Sequence, residues 1–189
     1  MKRLLDVNIM VGRFQPFTNG HLKCAEYAMN KKGVPTVLAM IETKDEKTDE
    51  RHPFPSSMLQ PMYEDLFKSN NLVTDIVLVK SANIVVIGQE LNKRGYNIVS
   101  WTCGSDRYDA YKKQGDKYAV EAMLDPNFEV LEIPRSDEDI SATKARQALL
   151  DGDKKTFDRL TPLSDLKSRL KGKDNYSILK TQLEIVMNK

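Results

Sequence analysis

Short runs of apolar, mostly β-branched residues alternate with longer amphipathic segments over about the first 150 residues of this chain. The apolar runs predict buried strands at residues 7–11, 34–41, 76–80, 98–103 and 128–133. The amphipathic segments predict helices at residues 19–30, 57–69, 83–94, 108–124 and 141–150. Strands that alternate with helices form parallel sheets covered on both faces, so we predict a Rossmann-like, doubly wound α/β fold with five parallel strands.

The strand pattern stops after Asp151-Gly152. We predict two short helices between Phe157 and Lys189, interrupted by Gly172, and therefore two parts: an α/β domain over residues 1–152 and a small C-terminal helical subdomain over 153–189. One run, residues 84–87, is apolar throughout and is compatible with either a helix or a strand.

The charge balance argues against polyanionic partners. The 189 residues include 29 Lys and Arg and 27 Asp and Glu, a formal net charge of +2. We therefore predict neither a nucleic-acid nor a membrane partner, and no apolar run approaches the roughly 20 residues of a membrane span. Two cysteines, Cys24 and Cys103, are too few for a disulfide framework and fit a reduced, cytoplasmic setting. The oligomeric state stays open, and a homo-oligomer is compatible with the sequence.

The segment after the first strand carries polar residues at a predicted helix start. It reads Gly12-Arg13-Phe14-Gln15-Pro16-Phe17-Thr18-Asn19-Gly20-His21, without the G-x-G-x-x-G or G-x-x-x-x-G-K-[ST] phosphate loops. Free N–H groups at a helix start bind anions, and Gly20 lets a ligand approach the backbone. The alternative is that Thr18 or Asn19 caps the helix and His21 is a surface residue.

A second segment of this kind follows the fifth predicted strand. It reads Ile140-Ser141-Ala142-Thr143-Lys144-Ala145-Arg146 and again opens a helix. Its hydroxyl and cationic side chains suit a polyphosphate at the positive end of that helix. The alternative is that Ser141 is only an N-cap residue.

Together these segments resemble the nucleotidylyltransferase superfamily, whose motifs are [HT]-x-G-H and I-S-x-T-x-x-R. Residues 12–17 are similar to those of archaeal-type nicotinamide mononucleotide (NMN) adenylyltransferases, which also carry an Arg-Asn-Pro-Phe segment where this chain has Arg51-His52-Pro53-Phe54. The resemblance covers about residues 5–150 and implies that residues 1–152 form a nucleotidyltransferase domain. Three features depart from it: Thr18 stands in place of His, His52 in place of Asn, and residues 81–90 lack a Trp.

A third segment, Gly104-Ser105-Asp106-Arg107, follows the fourth predicted strand. It resembles the G-[AS]-D segment that lines the nucleotide pocket in these families. In a sheet ordered 3-2-1-4-5 it begins beside the turn that carries Thr18. The alternative is an ordinary turn capped by Ser105 or Asp106.

The resemblance implies adenylyl transfer from ATP to NMN, giving NAD and pyrophosphate. It implies catalytic roles for His21 and Thr18, at the α-phosphate, and for Arg146. The implied ATP-binding residues are Gly12, Arg13, Phe14, Gly20, His21, Arg51, Gly104, Asp106, Ser141, Thr143 and Arg146. Mg²⁺ is the implied cofactor, carried by phosphates and water rather than by a protein cage.

Three alternatives remain open. In the first, the enzyme is an adenylyltransferase for another phosphate acceptor, such as phosphopantetheine or FMN. In the second, it is a cytidylyltransferase that uses CTP. In the third, the chain is a nucleotide-binding regulator without turnover, but the presence of both His21 and Arg146 argues against this.

Overall fold

The computed structural model describes residues 3–68, 70–133, 140–163 and 174–188. All strands found in these residues belong to one parallel sheet, ordered β3-β2-β1-β4-β5. The strands are β1 (Leu5–Gly12), β2 (Thr36–Ile41), β3 (Val73–Val79), β4 (Tyr96–Gly104) and β5 (Glu129–Ile133). The predicted fold class and strand order are confirmed.

Helices follow the strands in the predicted alternation. They are α1 (Asn19–Lys32), α2 (Ser56–Phe67), α3 (Ile84–Lys93), α4 (Ser105–Tyr118), α5 (Ala142–Leu150), α6 (Lys154–Leu160) and α7 (Asn175–Met187). The ambiguous run 84–87 is helical, because the Asn83 side chain accepts hydrogen bonds from the Val85 and Val86 N–H groups and so caps α3. The predicted helix end at residue 124 is wrong, since α4 ends at Tyr118. Gly172 lies outside the described residues.

The chain forms two compact units, each built from separate stretches of sequence. The first, called here the sheet unit, comprises Met1–Gly12, Lys23–Ile41 and Asn71–Glu138. The second, called here the motif unit, comprises Arg13–Leu22, Glu42–Asn70 and Asp139–Lys189. These units are not the two predicted domains, and the predicted domain boundary after residue 152 stays a prediction.

Apolar side chains of α3 and α4 pack against apolar residues of the strands and form the core of the sheet unit. The indole of Trp101 is fully buried and stacks on Tyr111 with ring centroids 3.7 Å apart. The core residues are Val7, Ile9, Val37, Ala39, Val77, Val79, Ile84, Ile87, Leu91, Ile98, Trp101, Cys103, Tyr111 and Ala122. Each fully buried aliphatic or aromatic side chain contributes about 1.5–3 kcal/mol.

A buried asparagine joins the three central strands. The Asn8 side chain donates to Thr36 Oγ1 on β2 over 3.0 Å, and its Oδ1 accepts from Ser100 Oγ and Thr102 Oγ1 on β4 at 2.9 and 2.7 Å. Because buried polar groups are costly unless hydrogen-bonded, this network favours one arrangement of the neighbouring strands. Two of these strands, β1 and β4, end at Gly12 and Gly104.

No helix in the described ranges is long and apolar enough to cross a bilayer.

Candidate functional site

The turn that follows β1 is fixed by a tyrosine from α2. The fully buried Tyr63 hydroxyl donates to the Phe14 carbonyl and accepts from the Phe17 N–H at 2.9 Å. Phe14 has φ of 50°, in the left-handed region that is unfavourable for a bulky residue, so these bonds stabilise a costly conformation. Burial raises the pKa of the Tyr63 phenol, which keeps it neutral and able both to donate and to accept.

We expect Tyr63→Phe to lower the free energy of unfolding by about 2 kcal/mol, because it leaves a buried carbonyl and a buried N–H without a partner. Urea denaturation measures this loss. Tyr27→Phe, at a partly exposed ring on α1, is the control and should change stability by less than about 0.5 kcal/mol. Equal stability of the two variants would contradict the anchoring role of Tyr63.

A glutamine in the same turn pairs with the backbone of a distant loop. Gln15 Nε2 donates to the Phe54 carbonyl at 2.6 Å, and Gln15 Oε1 accepts from the Phe54 N–H at 3.0 Å. Beside it, the Arg13 guanidinium donates to the Glu42 carbonyl at 2.9 Å and to Thr43 Oγ1 at 3.1 Å. The turn and the loop after β2 are therefore joined at two points.

His21 is held in one orientation and in its neutral form. Its Nδ1 accepts from the Thr18 N–H at 3.0 Å and lies 3.0 Å from Thr18 Oγ1. Because an N–H group donates to Nδ1, the ring proton of the neutral form must be on Nε2. The rings of Phe14 and Phe17 lie 5.1 and 5.2 Å from the His21 ring, between centroids.

Close packing around this ring lowers the pKa of His21 to about 4, although part of the residue stays exposed. At neutral pH the side chain is therefore an oriented N–H donor without charge. The capping alternative holds in part: Thr18 Oγ1 lies 3.4 Å from the His21 N–H at the start of α1. The reading of His21 as a simple surface residue is wrong, because Thr18 and two aromatic rings hold it.

Gly20 lies where the two predicted motifs meet. A Cβ placed on it would be 3.5 Å from Thr18 Oγ1 and 3.7 Å from both the Ile140 side chain and the Ile140 carbonyl oxygen. These are ordinary van der Waals contacts, so the surrounding protein leaves room for an alanine. Packing therefore does not require a glycine at this position.

The second motif contacts the first through Arg146. One guanidinium nitrogen donates to the Gln15 carbonyl at 2.6 Å and another to Thr143 Oγ1 at 3.2 Å. Burial lowers the pKa of Arg146, whereas the carboxylate of Asp49 acts in the opposite direction. The Ser141 hydroxyl accepts from the Lys144 N–H at 3.2 Å and caps α5, as its alternative reading expects.

The remaining predicted residues are Arg51, Gly12, Gly104 and Asp106. Arg51 is on an exposed turn, where its N–H donates to Asp49 Oδ1 at 2.9 Å. Gly12 and Gly104 end β1 and β4, Asp106 lies in the first turn of α4, and all three belong to the sheet unit. Helix α4 is capped by Gly104 without a side-chain hydrogen bond, so the structure does not support capping by Ser105 or Asp106.

Sequence reasoning missed the residues that hold the site together. Tyr63 bonds to positions 46 and 49 residues away, and the Gln15 amide bonds to one 39 residues away. No local pattern carries pairings over such separations. The one available signal was Gln15 itself, a polar residue among apolar neighbours in a turn.

This chain resembles one protein family in sequence and several solved structures in fold. The sequence model of the family described as Cytidylyltransferase-like matches residues 9–148. No curated protein matches the chain at a significant level.

Solved structures share the fold at low sequence identity. The nicotinic acid mononucleotide adenylyltransferase of Plasmodium falciparum, complexed with NaAD, is 14% identical, with a TM-score of 0.52 over 82% of this chain and 94% of its own. The same enzyme complexed with APC is 15% identical, with a TM-score of 0.55 over 83% and 90%. Thermotoga maritima TmcAL, bound with alpha-thio ATP, is 12% identical, with a TM-score of 0.56 over 97% of this chain and 56% of its own.

Proposed function

Since this chain belongs to the cytidylyltransferase-like family of nucleotidyltransferases, we propose that it transfers the adenylyl group of ATP to nicotinamide mononucleotide, giving NAD and pyrophosphate. The observation that carries this proposal is the bond from Arg146 to the Gln15 carbonyl, which links the two phosphate-binding motifs. Beside that link lies a neutral, oriented His21. A regulator without turnover would not need a hydrogen-bond donor held in this way.

The reaction needs positioning and charge stabilisation rather than a covalent enzyme intermediate. A phosphate oxygen of the acceptor attacks the α-phosphorus of ATP, the bond from that phosphorus to the oxygen bridging to the β-phosphorus breaks, and pyrophosphate leaves with the bond electrons. We assign His21 Nε2–H to an α-phosphate oxygen, with Thr18 fixing the ring. Such a donor acts most strongly when charge accumulates in the transition state.

The cationic and hydroxyl side chains of the motif unit would bind the rest of the triphosphate. We assign Arg13, Arg51 and Arg146 to the β- and γ-phosphates, and Ser141 and Thr143 to further hydrogen bonds. ATP enters as its Mg²⁺ complex, in which the ion offsets part of the phosphate charge. The described residues bring no three His, Cys, Asp or Glu side chains together.

Two assignments remain: the residues that bind the nucleoside of ATP, and the location of the protein in the cell. We assign Gly12, Phe14, Gly104 and Asp106 to the ATP site on the resemblance of their segments. Both cysteines are free thiols, which supports a cytoplasmic location.

Gly20→Ala separates binding from folding. We expect the variant to be as stable as the parent or up to about 1 kcal/mol more stable, since the new methyl group meets only ordinary contacts and alanine favours a helix. We expect its KM for ATP to rise at least about tenfold, because the methyl group occupies the space of a phosphate. Thermal unfolding and steady-state kinetics measure the two effects. A stable variant with unchanged ATP kinetics would remove Gly20 from the site.

The acceptor has a second candidate. The Plasmodium falciparum neighbour is a nicotinic acid mononucleotide adenylyltransferase, which favours nicotinic acid mononucleotide as the other pyridine nucleotide to test. The two acceptors differ only at one group on the pyridine ring, which is a carboxamide in NMN and a carboxylate in nicotinic acid mononucleotide. NMN stays the first candidate because residues 12–17 resemble those of enzymes that use it.

The test is pyrophosphate release from purified protein with each nucleotide and acceptor in turn. ATP, CTP and GTP are each paired with NMN, nicotinic acid mononucleotide, phosphopantetheine and FMN. We expect the highest kcat/KM with ATP and NMN. A higher value with nicotinic acid mononucleotide would replace the acceptor, and a higher value with CTP would replace the nucleotide. No release with any pair would favour a binding protein without turnover.

A further inference from the structure

Helix α7 reaches two elements of the site, although it lies beyond the residues that match the family. Its Lys180 Nζ donates to the Leu149 carbonyl near the end of α5 at 3.1 Å. Two residues further along, Gln182 Nε2 donates to the Pro53 carbonyl at 3.0 Å. Helix α5 carries Thr143 and Arg146, and Pro53 precedes the residue that pairs with Gln15. One helix is therefore bonded to both sides of the candidate site.

In the segment Pro53-Phe54-Pro55, the backbone of Pro53 and Phe54 is hydrogen-bonded by side-chain amides, whereas the Pro55 carbonyl accepts from backbone N–H groups at the start of α2. Proline has no backbone N–H, so the segment has a single donor, the Phe54 N–H, which Gln15 Oε1 accepts at 3.0 Å. Its carbonyls at positions 53 and 54 accept from Gln182 and Gln15. All three residues of the segment are buried, so water cannot replace a lost amide partner at little cost.

A chain of contacts connects Gln182 with the arginine of the second motif. Gln182 holds the Pro53 carbonyl, and the next residue, Phe54, is paired with the Gln15 amide through both its N–H and its carbonyl. The backbone carbonyl of Gln15 then accepts from Arg146 at 2.6 Å. A shift of the Pro53-Phe54 backbone would therefore move the acceptor that orients the guanidinium.

We propose that Gln182 is a positioning residue for ATP binding, and that α7 is an integral part of the site. The proposal rests on the proposed function, in which Arg146 contacts the triphosphate. Gln182 acts through Pro53, Phe54 and Gln15 and does not itself touch the substrate. This gives the C-terminal helix a role that the family resemblance does not supply.

The test compares Gln182→Met with Gln89→Met. Methionine is close to glutamine in shape and has no N–H donor. Gln89 on α3 makes the same kind of bond, from Nε2 to the Glu121 carbonyl at 3.1 Å, but in the sheet unit. Gln182→Glu, which lacks the amide donor at neutral pH, is the second variant if the first folds poorly. Readouts are hydrogen exchange at the Phe54 N–H without ligand, the Kd of ATP by calorimetry, and kcat and KM.

For Gln182→Met we expect faster exchange at Phe54 and a three- to tenfold increase in both the Kd and the KM of ATP. This is the range of a single ordinary hydrogen bond, about 0.5–1.5 kcal/mol. We expect kcat within about twofold of the parent, because the reacting groups are unchanged. In a Gln15→Met background the further effect of Gln182→Met should disappear, since the path through Phe54 is already broken.

Two failures are distinguishable. A parent protein that binds no ATP overturns the proposed function and this inference with it. A parent that binds ATP, together with a Gln182→Met variant whose ATP affinity and Phe54 exchange match those of Gln89→Met, overturns the inference alone. Undiminished effects in the Gln15→Met background would also overturn it, because they would exclude the path through Gln15.

Discussion

His21→Ala should lower kcat by about 10²–10³ while raising KM for ATP by much less. A preorganised donor to charge that develops in the transition state typically contributes this factor. In the unliganded protein the ring is neutral, since burial lowers the pKa of His21 to about 4, so the Nε2–H is available across the neutral range. An interaction concentrated in the transition state appears in kcat rather than in KM. Steady-state kinetics with saturating acceptor measure both.

His21→Gln serves as the conservative variant, because its amide N–H can still donate. We expect it to recover part of the loss. Circular dichroism and thermal unfolding show whether both variants fold, since the rings of Phe14 and Phe17 lose a neighbour in each. A folded His21→Ala protein with kcat within a few fold of the parent would remove His21 from the mechanism.

Arg146→Ala should lower kcat/KM for ATP by about 10- to 100-fold. Hydrogen bonds to charged groups contribute about 1.5–3 kcal/mol, and this guanidinium is half-buried near the start of α5, where the helix dipole disfavours a cation without an anion nearby. The same side chain bonds to Gln15 and Thr143, so we also expect a loss of about 1 kcal/mol in stability. Isothermal titration with ATP and urea denaturation separate the two effects.

Arg146→Lys and Arg94→Ala complete this comparison. Lysine keeps the charge but lacks the planar fork that reaches two acceptors, so we expect only partial recovery. Arg94 forms an exposed ion pair with Glu90 in the sheet unit, and its loss should leave ATP kinetics unchanged. A large stability loss in Arg146→Ala with unchanged ATP binding would show that the arginine is structural.

The fold could be predicted because its signals are local. The apolar runs 34–41 and 98–103 each match a strand within about two residues, and the stretches between successive strands leave room for crossover helices. Helix ends were less predictable where the polar pattern continued past the true end, as after Tyr118. There the chain turns, and Met123 takes a positive φ of 54° that the sequence does not signal.

Of the candidate site, only the residues that belong to the two motifs could be predicted from the sequence. Thr18, Gly20 and Arg146 follow from a family pattern, and the structure places their motifs in contact. The supporting contacts of Tyr63 and Gln182 depend on which distant backbone groups lack partners. That information exists only in the folded chain. The roles of all these residues in catalysis stay predictions until the variants are measured.

The segmented construction of the motif unit has a consequence for synthesis. Its parts come from residues 13–22, 42–70 and 139–189, so the turn that carries Thr18 and His21 leaves the ribosome long before α5 and α7 exist. Until then Gln15 and Pro53 lack the partners that Arg146 and Gln182 later supply. Contacts between such distant segments form slowly and late. A nascent chain that stops before α7 would therefore carry both motifs and still lack the hydrogen bonds that Lys180 and Gln182 donate to the motif unit.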